Sequence, residues 1–163
     1  MTNSAIVTDS SPLIALAIIE QLELLPQLYQ CILIPPAVWE EVTIKGMGLP
    51  GAKSISQVQW LQVKLPPPEG VSALSILVDR GEAEALALAQ IIPNSIVLLD
   101  DAQARRVAER LGIPRIGTLG ILRRAKNLGL IDKVKPYIER LEASGIYIHI
   151  NVIKAVLSDL GEL

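Results

Sequence analysis

Acidic side chains fall at four points from which a fold could gather them: Asp9, Glu40-Glu41, Glu82 with Glu84, and Asp100-Asp101. Each has an ordinary reading. Asp9 can close an Asx-turn, Glu40 and Glu41 can be solvated helix surface, Glu82 and Glu84 suit the dipole of a helix's first turn, and Asp101 can cap the helix after it. Taken together these readings weaken. Glu82 shares helical spacing with Ala85, Leu86 and Ala89, an apolar face that should turn inward, and Asp100 follows the run Ile96-Val97-Leu98-Leu99. Carboxylates drawn into one pocket repel unless a cation compensates them, and oxygen-only ligation is what Mg2+ or Mn2+ prefers. His149 is the only histidine, so a His cluster cannot form, and on an alternating segment it reads as surface. Cys31 is the only cysteine, which excludes an internal disulfide and a Cys-based zinc site; its run Cys31-Ile32-Leu33-Ile34 predicts burial. Chemistry here would have to come from metal-activated water rather than from a side-chain base.

The elements that must position these acids follow from pattern and punctuation. Strands are expected at residues 5–8, 31–34, 58–63, 95–99 and 113–116, and a last alternating one at 147–151. Helices are expected at residues 13–19 with a further helical segment to about 29, then at 37–44, 72–78, 82–91, 102–111, 119–127, 132–143 and 152–160. Ser11 and Pro12 mark the first helix start, Gly112 a helix end, and Pro66-Pro67-Pro68-Glu69-Gly70 a stiff extended linker within one domain. Strands alternating with helices predict an α/β fold with a mainly parallel sheet and helices on both faces. Ligands collect beyond the carboxyl ends of such strands, where Asp9 and Asp100 fall.

Composition narrows the classes. The 163 residues suit one domain, half of them are apolar, and that half is aliphatic: no Phe, two Trp and three Tyr. Aromatic base-stacking platforms and disorder are both excluded. The longest clean apolar stretch near the start, residues 13–19, is too short to span a bilayer, and no basic region precedes it, so the expectation is a cytoplasmic protein without a membrane partner. The net charge of −2 hides an asymmetry: residues 1–100 carry −6 and residues 101–163 carry +4. Arg105, Arg106, Arg110, Arg123, Arg124 and Lys126 form the basic stretch, either a solvated surface or a slope for nucleic-acid phosphates. High mean hydropathy, +0.42, suggests an apolar face covered by a second copy, hence a homodimer.

Five segments occur in an order that resembles a known family: Asp9-Ser10-Ser11-Pro12-Leu13, Ile34-Pro35-Pro36-Ala37-Val38-Trp39-Glu40-Glu41-Val42, Gly81-Glu82-Ala83-Glu84-Ala85, Leu98-Leu99-Asp100-Asp101 and Gly117-Thr118-Leu119-Gly120-Ile121-Leu122. They are similar to the PIN-domain superfamily, in a prokaryotic branch related to the VapC-type toxins. The resemblance covers residues 4–131 or so, and residues 131–163 match less well. It implies a three-layer fold and a Mg2+/Mn2+-dependent endoribonuclease site. By motif position Asp9 matches the first acid, Glu41 the second, Glu82 the third and Asp100 the fourth, with Ser11 as an assisting hydroxyl. Glu84 is the alternative third acid and Asp101 the alternative fourth. Glu stands at the third position where Asp is more familiar. The implied partners are an RNA substrate and a small antitoxin protein. A non-catalytic PIN-like module that binds RNA or protein is the second reading. A phospho-receiver fails because Asp9-Ser10-Ser11 supplies one acid and Ile116-Gly117-Thr118 no lysine.

Overall fold

A computed structural model describes residues 4–163. Five strands, β1 (Ala5–Thr8), β2 (Cys31–Ile34), β3 (Leu61–Val63), β4 (Ser95–Leu98) and β5 (Arg115–Ile116), form one sheet in the order β3-β2-β1-β4-β5. Every pairing is parallel. Successive strand residues face opposite sides, and the core divides accordingly. Ile6, Ile32, Ile34 and Leu98 belong to one buried cluster; Val7, Leu33, Val97 and Leu99 belong to the other. This two-sided burial is why the strands read as unbroken aliphatic runs.

The first cluster is covered by α1 (Ser10–Ile18), α2 (Leu24–Leu28), α4 (Ala52–Gln57), α8 (Thr118–Asn127), α9 (Lys135–Ala143) and α10 (Ile150–Asp159). The second is covered by α5 (Pro68–Leu74), α6 (Arg80–Ile91) and α7 (Ala102–Arg110). Helix α6 is buried from Gly81 to Ala89, because it is sandwiched between the sheet, α5 and the short helix α3 (Pro36–Trp39). Alanines at 83, 85, 87 and 89 let it sit that close. Helix α3 runs on into a wider π-helical turn, Glu40–Lys45, which carries Glu41. The chain winds outward from β1 to β3 on one side and returns to β4 and β5 on the other. The topological switch therefore lies between β1 and β4.

Several expectations need correction. Residues 147–151 are not a strand: the backbone is irregular through His149 and helical from Ile150, and the His149 imidazole accepts from Asn151 N–H at 3.1 Å, capping α10 instead. Their alternating pattern finds no partner strand, and the chain turns into α10 at Ile150. Cys31 is exposed, because it opens β2 where the chain enters the sheet, and the apolar neighbours that follow take the buried places. The third strand is shorter than 58–63, and the proline run turns helical at Pro68, whose fixed φ suits the first turn of α5. Helix α6 begins two residues earlier than expected because Asp79 caps it.

The carboxyl-terminal tail is fastened by one side chain. Glu162 accepts from Lys126 Nζ at 2.7 Å and from the backbone N–H groups of Val134 (2.9 Å) and Lys135 (2.9 Å). Burial pushes its carboxyl up, but these hydrogen bonds and the Lys126 charge outweigh it and hold the pKa at about 2. Glu162→Gln should cost about 1.5–3 kcal/mol at neutral pH. The group's folded pKa is depressed, so that contribution is full above about 4.5 and is lost as pH falls towards 2. Thermal unfolding of the two proteins should therefore differ at pH 7 and converge near pH 2.

Candidate active site

Each of the acids is carried to the carboxyl edge of the sheet by a strand end or a helix start. Asp9 follows β1, and its N–H donates to Leu98 O at 3.1 Å, which ties it to the end of β4 across the switch. Its side chain is buried, 6% exposed, and accepts from the N–H of Ser10 at the start of α1. Burial raises its pKa, the Ser10 N–H works against that, and the charges of Glu82, Asp79 and Glu41 raise it further, to about 7. Glu82, 8% exposed, is raised to about 6 by burial and by the charges of Asp79, Asp101 and Glu41, against the Asp79 N–H. Asp9, Glu41 and Glu82 thus share one electrostatic neighbourhood.

Asp79 and Glu82 form a reciprocal capping box. Glu82 N–H donates to Asp79 Oδ1 at 2.8 Å, and Asp79 N–H donates to Glu82 Oε2 at 3.2 Å. Asp79 went unremarked in the sequence, although Asp-x-x-Glu before an alanine-rich helix is the capping signal. Glu41 accepts from the Ser10 hydroxyl at 2.7 Å. Ser10 is the buried serine that meets an acid; Ser11, the hydroxyl the sequence favoured, is exposed. Gly81 lets Glu41 approach, since a Cβ there would stand 3.2 Å from Glu41 Oε2.

The two aspartates after β4 are held differently. Asp100 turns to the start of α8, accepting from Thr118 N–H at 2.8 Å and from the Thr118 hydroxyl at 2.5 Å. Gly117 makes room, because a Cβ there would come within 2.8 Å of Asp100 Oδ1. Asp101 caps α7 through Ala104 N–H at 2.9 Å, and it is the aspartate whose charge acts on Glu82. Glu84 is buried, 5% exposed, but compensated: it accepts from Ala37 N–H at 2.9 Å and from Arg80 Nε at 3.1 Å.

Oxygen donors alone, two of them desolvated and raised by the charges of neighbouring carboxylates, are the chemistry a hard divalent cation satisfies. Among the described residues no three acidic, His or Cys side chains are arranged to hold one ion; Glu41 Oε2 accepts from the Ser10 hydroxyl and Glu82 Oε2 from Asp79 N–H. Ligation would exchange those hydrogen bonds for metal bonds.

The basic stretch is split. Arg123 pairs with Asp159, Lys126 with Glu162, and Arg124 donates to Tyr29 OH at 3.1 Å with its guanidinium 5.1 Å from that ring's centre. Arg105, Arg106 and Arg110 stand exposed on α7, directly after Asp101.

A carboxyl whose pKa is raised by folding makes the folded state less stable as pH rises. The folded chain holds a proton at Asp9 between about pH 4 and 7 that the unfolded chain has released, so stability falls through that window and stays lower above it. In EDTA, Asp9→Asn should raise the unfolding free energy at pH 8 by a few kcal/mol at most, about 1.4 per pKa unit. The gain should shrink to nothing near pH 4. A variant no more stable than wild type at pH 8 would mean that Asp9 is solvated.

Comparison with curated proteins gives no match. Against protein families, residues 5–162 match a family described as a PIN domain, which is a nuclease-type module. That match spans nearly the whole chain and agrees with the five-stranded parallel sheet between helical layers. The chain belongs to the PIN-domain family.

Proposed function

We propose that the chain is a Mg2+- or Mn2+-dependent endoribonuclease, acting in the cytoplasm as the toxin of a two-protein toxin–antitoxin pair. One observation carries the catalytic reading: Asp9 is buried at the switch point among Glu82, Asp79 and Glu41, whose charges raise it. Such an arrangement destabilises the free chain and is relieved by a bound cation. Asp9, Glu41 and Glu82 are the residues to hold it, with Asp100 or Asp101 as the acid beyond β4. A bound divalent ion would supply a water of lowered pKa and neutralise charge on the scissile phosphate. Attack of water on phosphorus then breaks the bond to the 3′ oxygen, leaving a 5′-phosphate and a 3′-hydroxyl. Ser10 holds Glu41, and Asp79 holds Glu82, so both acids are oriented before substrate arrives. Arg105, Arg106 and Arg110 give RNA phosphates a basic approach beside Asp101.

A second copy is the proposed partner for the exposed side chains of Ile44, at the end of the π-helical turn, and of Met47 and Leu49 just after it. Sedimentation of micromolar protein should show a species of twice 17.6 kDa; monomer alone would remove this part of the proposal.

Wild type should cleave single-stranded RNA with Mn2+ and lose that activity in EDTA. Asp9→Asn should lower the rate by at least about 100-fold while folding normally. Glu82→Gln should be similarly damaging, whereas Glu84→Gln should lower the unfolding midpoint and largely spare turnover at saturating RNA. An Arg106→Ala/Arg110→Ala double variant should need more RNA for half-maximal rate. Equal cleavage by wild type and Asp9→Asn would overturn the nuclease assignment.

A further inference from the structure

Beside the acids lies an open cleft of about 770 Å3. Leu65, Pro66, Pro68 and Val71 line its wall, and Asp79, Arg80 and Glu84 line its end. Asp79 lines this cleft and its charge acts on both Asp9 and Glu82, so the cleft adjoins the acidic cluster. The volume lies in the range of small-ligand sites and holds one nucleotide unit.

Arg80 is the informative residue. Its side chain is 81% exposed, yet its Nε is fixed at 3.1 Å from the buried Glu84 carboxylate. Glu84 is itself fixed by Ala37 N–H, at 2.9 Å. A guanidinium anchored through Nε keeps its two terminal nitrogens for a second partner, and those match the oxygens of a phosphate. Glu84 is buried and already has a backbone donor, so the Arg80 contact aims the guanidinium fork from a fixed anchor. The same cleft is lined by Leu65, Pro66 and Pro68, a segment stiffened by proline that loses little entropy on binding, and Leu65 is 73% exposed. Aliphatic surface of this kind receives the face of any base without reading its edge.

We propose that this cleft is the subsite for a nucleotide flanking the scissile phosphate of a single-stranded RNA, with Arg80 on that nucleotide's phosphate and the Leu65–Val71 wall against its base. The inference rests on the nuclease reading for the word scissile, and on the cleft alone for the binding. Glu84 is then a positioning residue acting through Arg80, which separates it from Glu82.

The test is fluorescence anisotropy of two labelled ten-residue strands, a uridine RNA and an abasic ribose-phosphate strand, with Ca2+ in place of Mn2+. Arg80→Gln should weaken both strands about tenfold and lower the log–log salt slope by roughly 0.7; Arg80→Lys should restore the slope. Leu65→Ser should weaken the uridine strand several-fold and leave the abasic strand unchanged. Both sites are exposed, so both variants should fold as wild type does. Unchanged affinity for both strands in both variants, or no binding by wild type, would overturn the proposal and leave the cleft to a protein partner. Mn2+-dependent cleavage that survives in cleft variants with unaltered affinity removes the subsite and keeps the nuclease. Variant-sensitive binding by a wild type that cleaves nothing keeps the subsite and removes the nuclease.

Discussion

A parallel sheet forces every helix that follows a strand to begin at the same edge, and this chain depends on that constraint. The starts of α1, α3, α6, α7 and α8 all present unpaired N–H groups and the positive ends of their dipoles to acidic side chains. Each start meets its own carboxylate: Ser10 N–H meets Asp9, Ala37 N–H meets Glu84, Glu82 N–H meets Asp79, Ala104 N–H meets Asp101 and Thr118 N–H meets Asp100. Elsewhere on the molecule such a density of negative charge would be a cost without compensation. At this edge the backbone supplies the first compensation, and the topology concentrates it.

That compensation is unequal, and the inequality sorts the acids. Asp100 receives two donors from Thr118, and Glu84 has a donor from the backbone and another from Arg80. Asp9 and Glu82 are buried with one backbone donor each and with further acids around them, so their pKa values rise to about 7 and about 6. A group satisfied by the protein has little to gain from an ion, and a group left short has much. By this measure Asp101, whose charge acts on Glu82, stands closer to the electrostatic centre than the motif-matched Asp100.

How much of this was legible follows from what each residue depends on. The aliphatic strands and the inward face of Glu82 were readable because they are local periodicities, and the sheet direction followed from their alternation with helices. Asp9 and Asp100 were readable from their place after strands. The choice between Ser10 and Ser11 was not, because it turns on which hydroxyl meets a glutamate thirty-one residues away. Asp79 was missed for the opposite reason: its signal is local, an N-cap, and its importance comes from the distant Asp9. The segment 147–151 misled because period-two alternation makes a strand only where a partner strand is within reach, and here the chain turns into α10 at Ile150. His149 there is used at once by its own backbone.

Charge asymmetry along the chain also resolves once the pairs are known. The carboxyl-terminal half is basic, but Arg123, Arg124 and Lys126 are spent fastening α8 to Asp159, Tyr29 and Glu162. They serve to lay the last helices over the first core cluster. What stays exposed near the acids is α7 with Arg105, Arg106 and Arg110, beside Asp101, and Arg80 on α6, beside Asp79. A polyanion reaching the acidic edge would be held by these arginines, since the acids themselves repel phosphate. On the proposed nuclease reading, the negative centre would need a cation before it attracted such a ligand, whereas the exposed arginines would attract it without one. Binding and chemistry would then be separable, the first set by the arginines and the second by Asp9 and its neighbours.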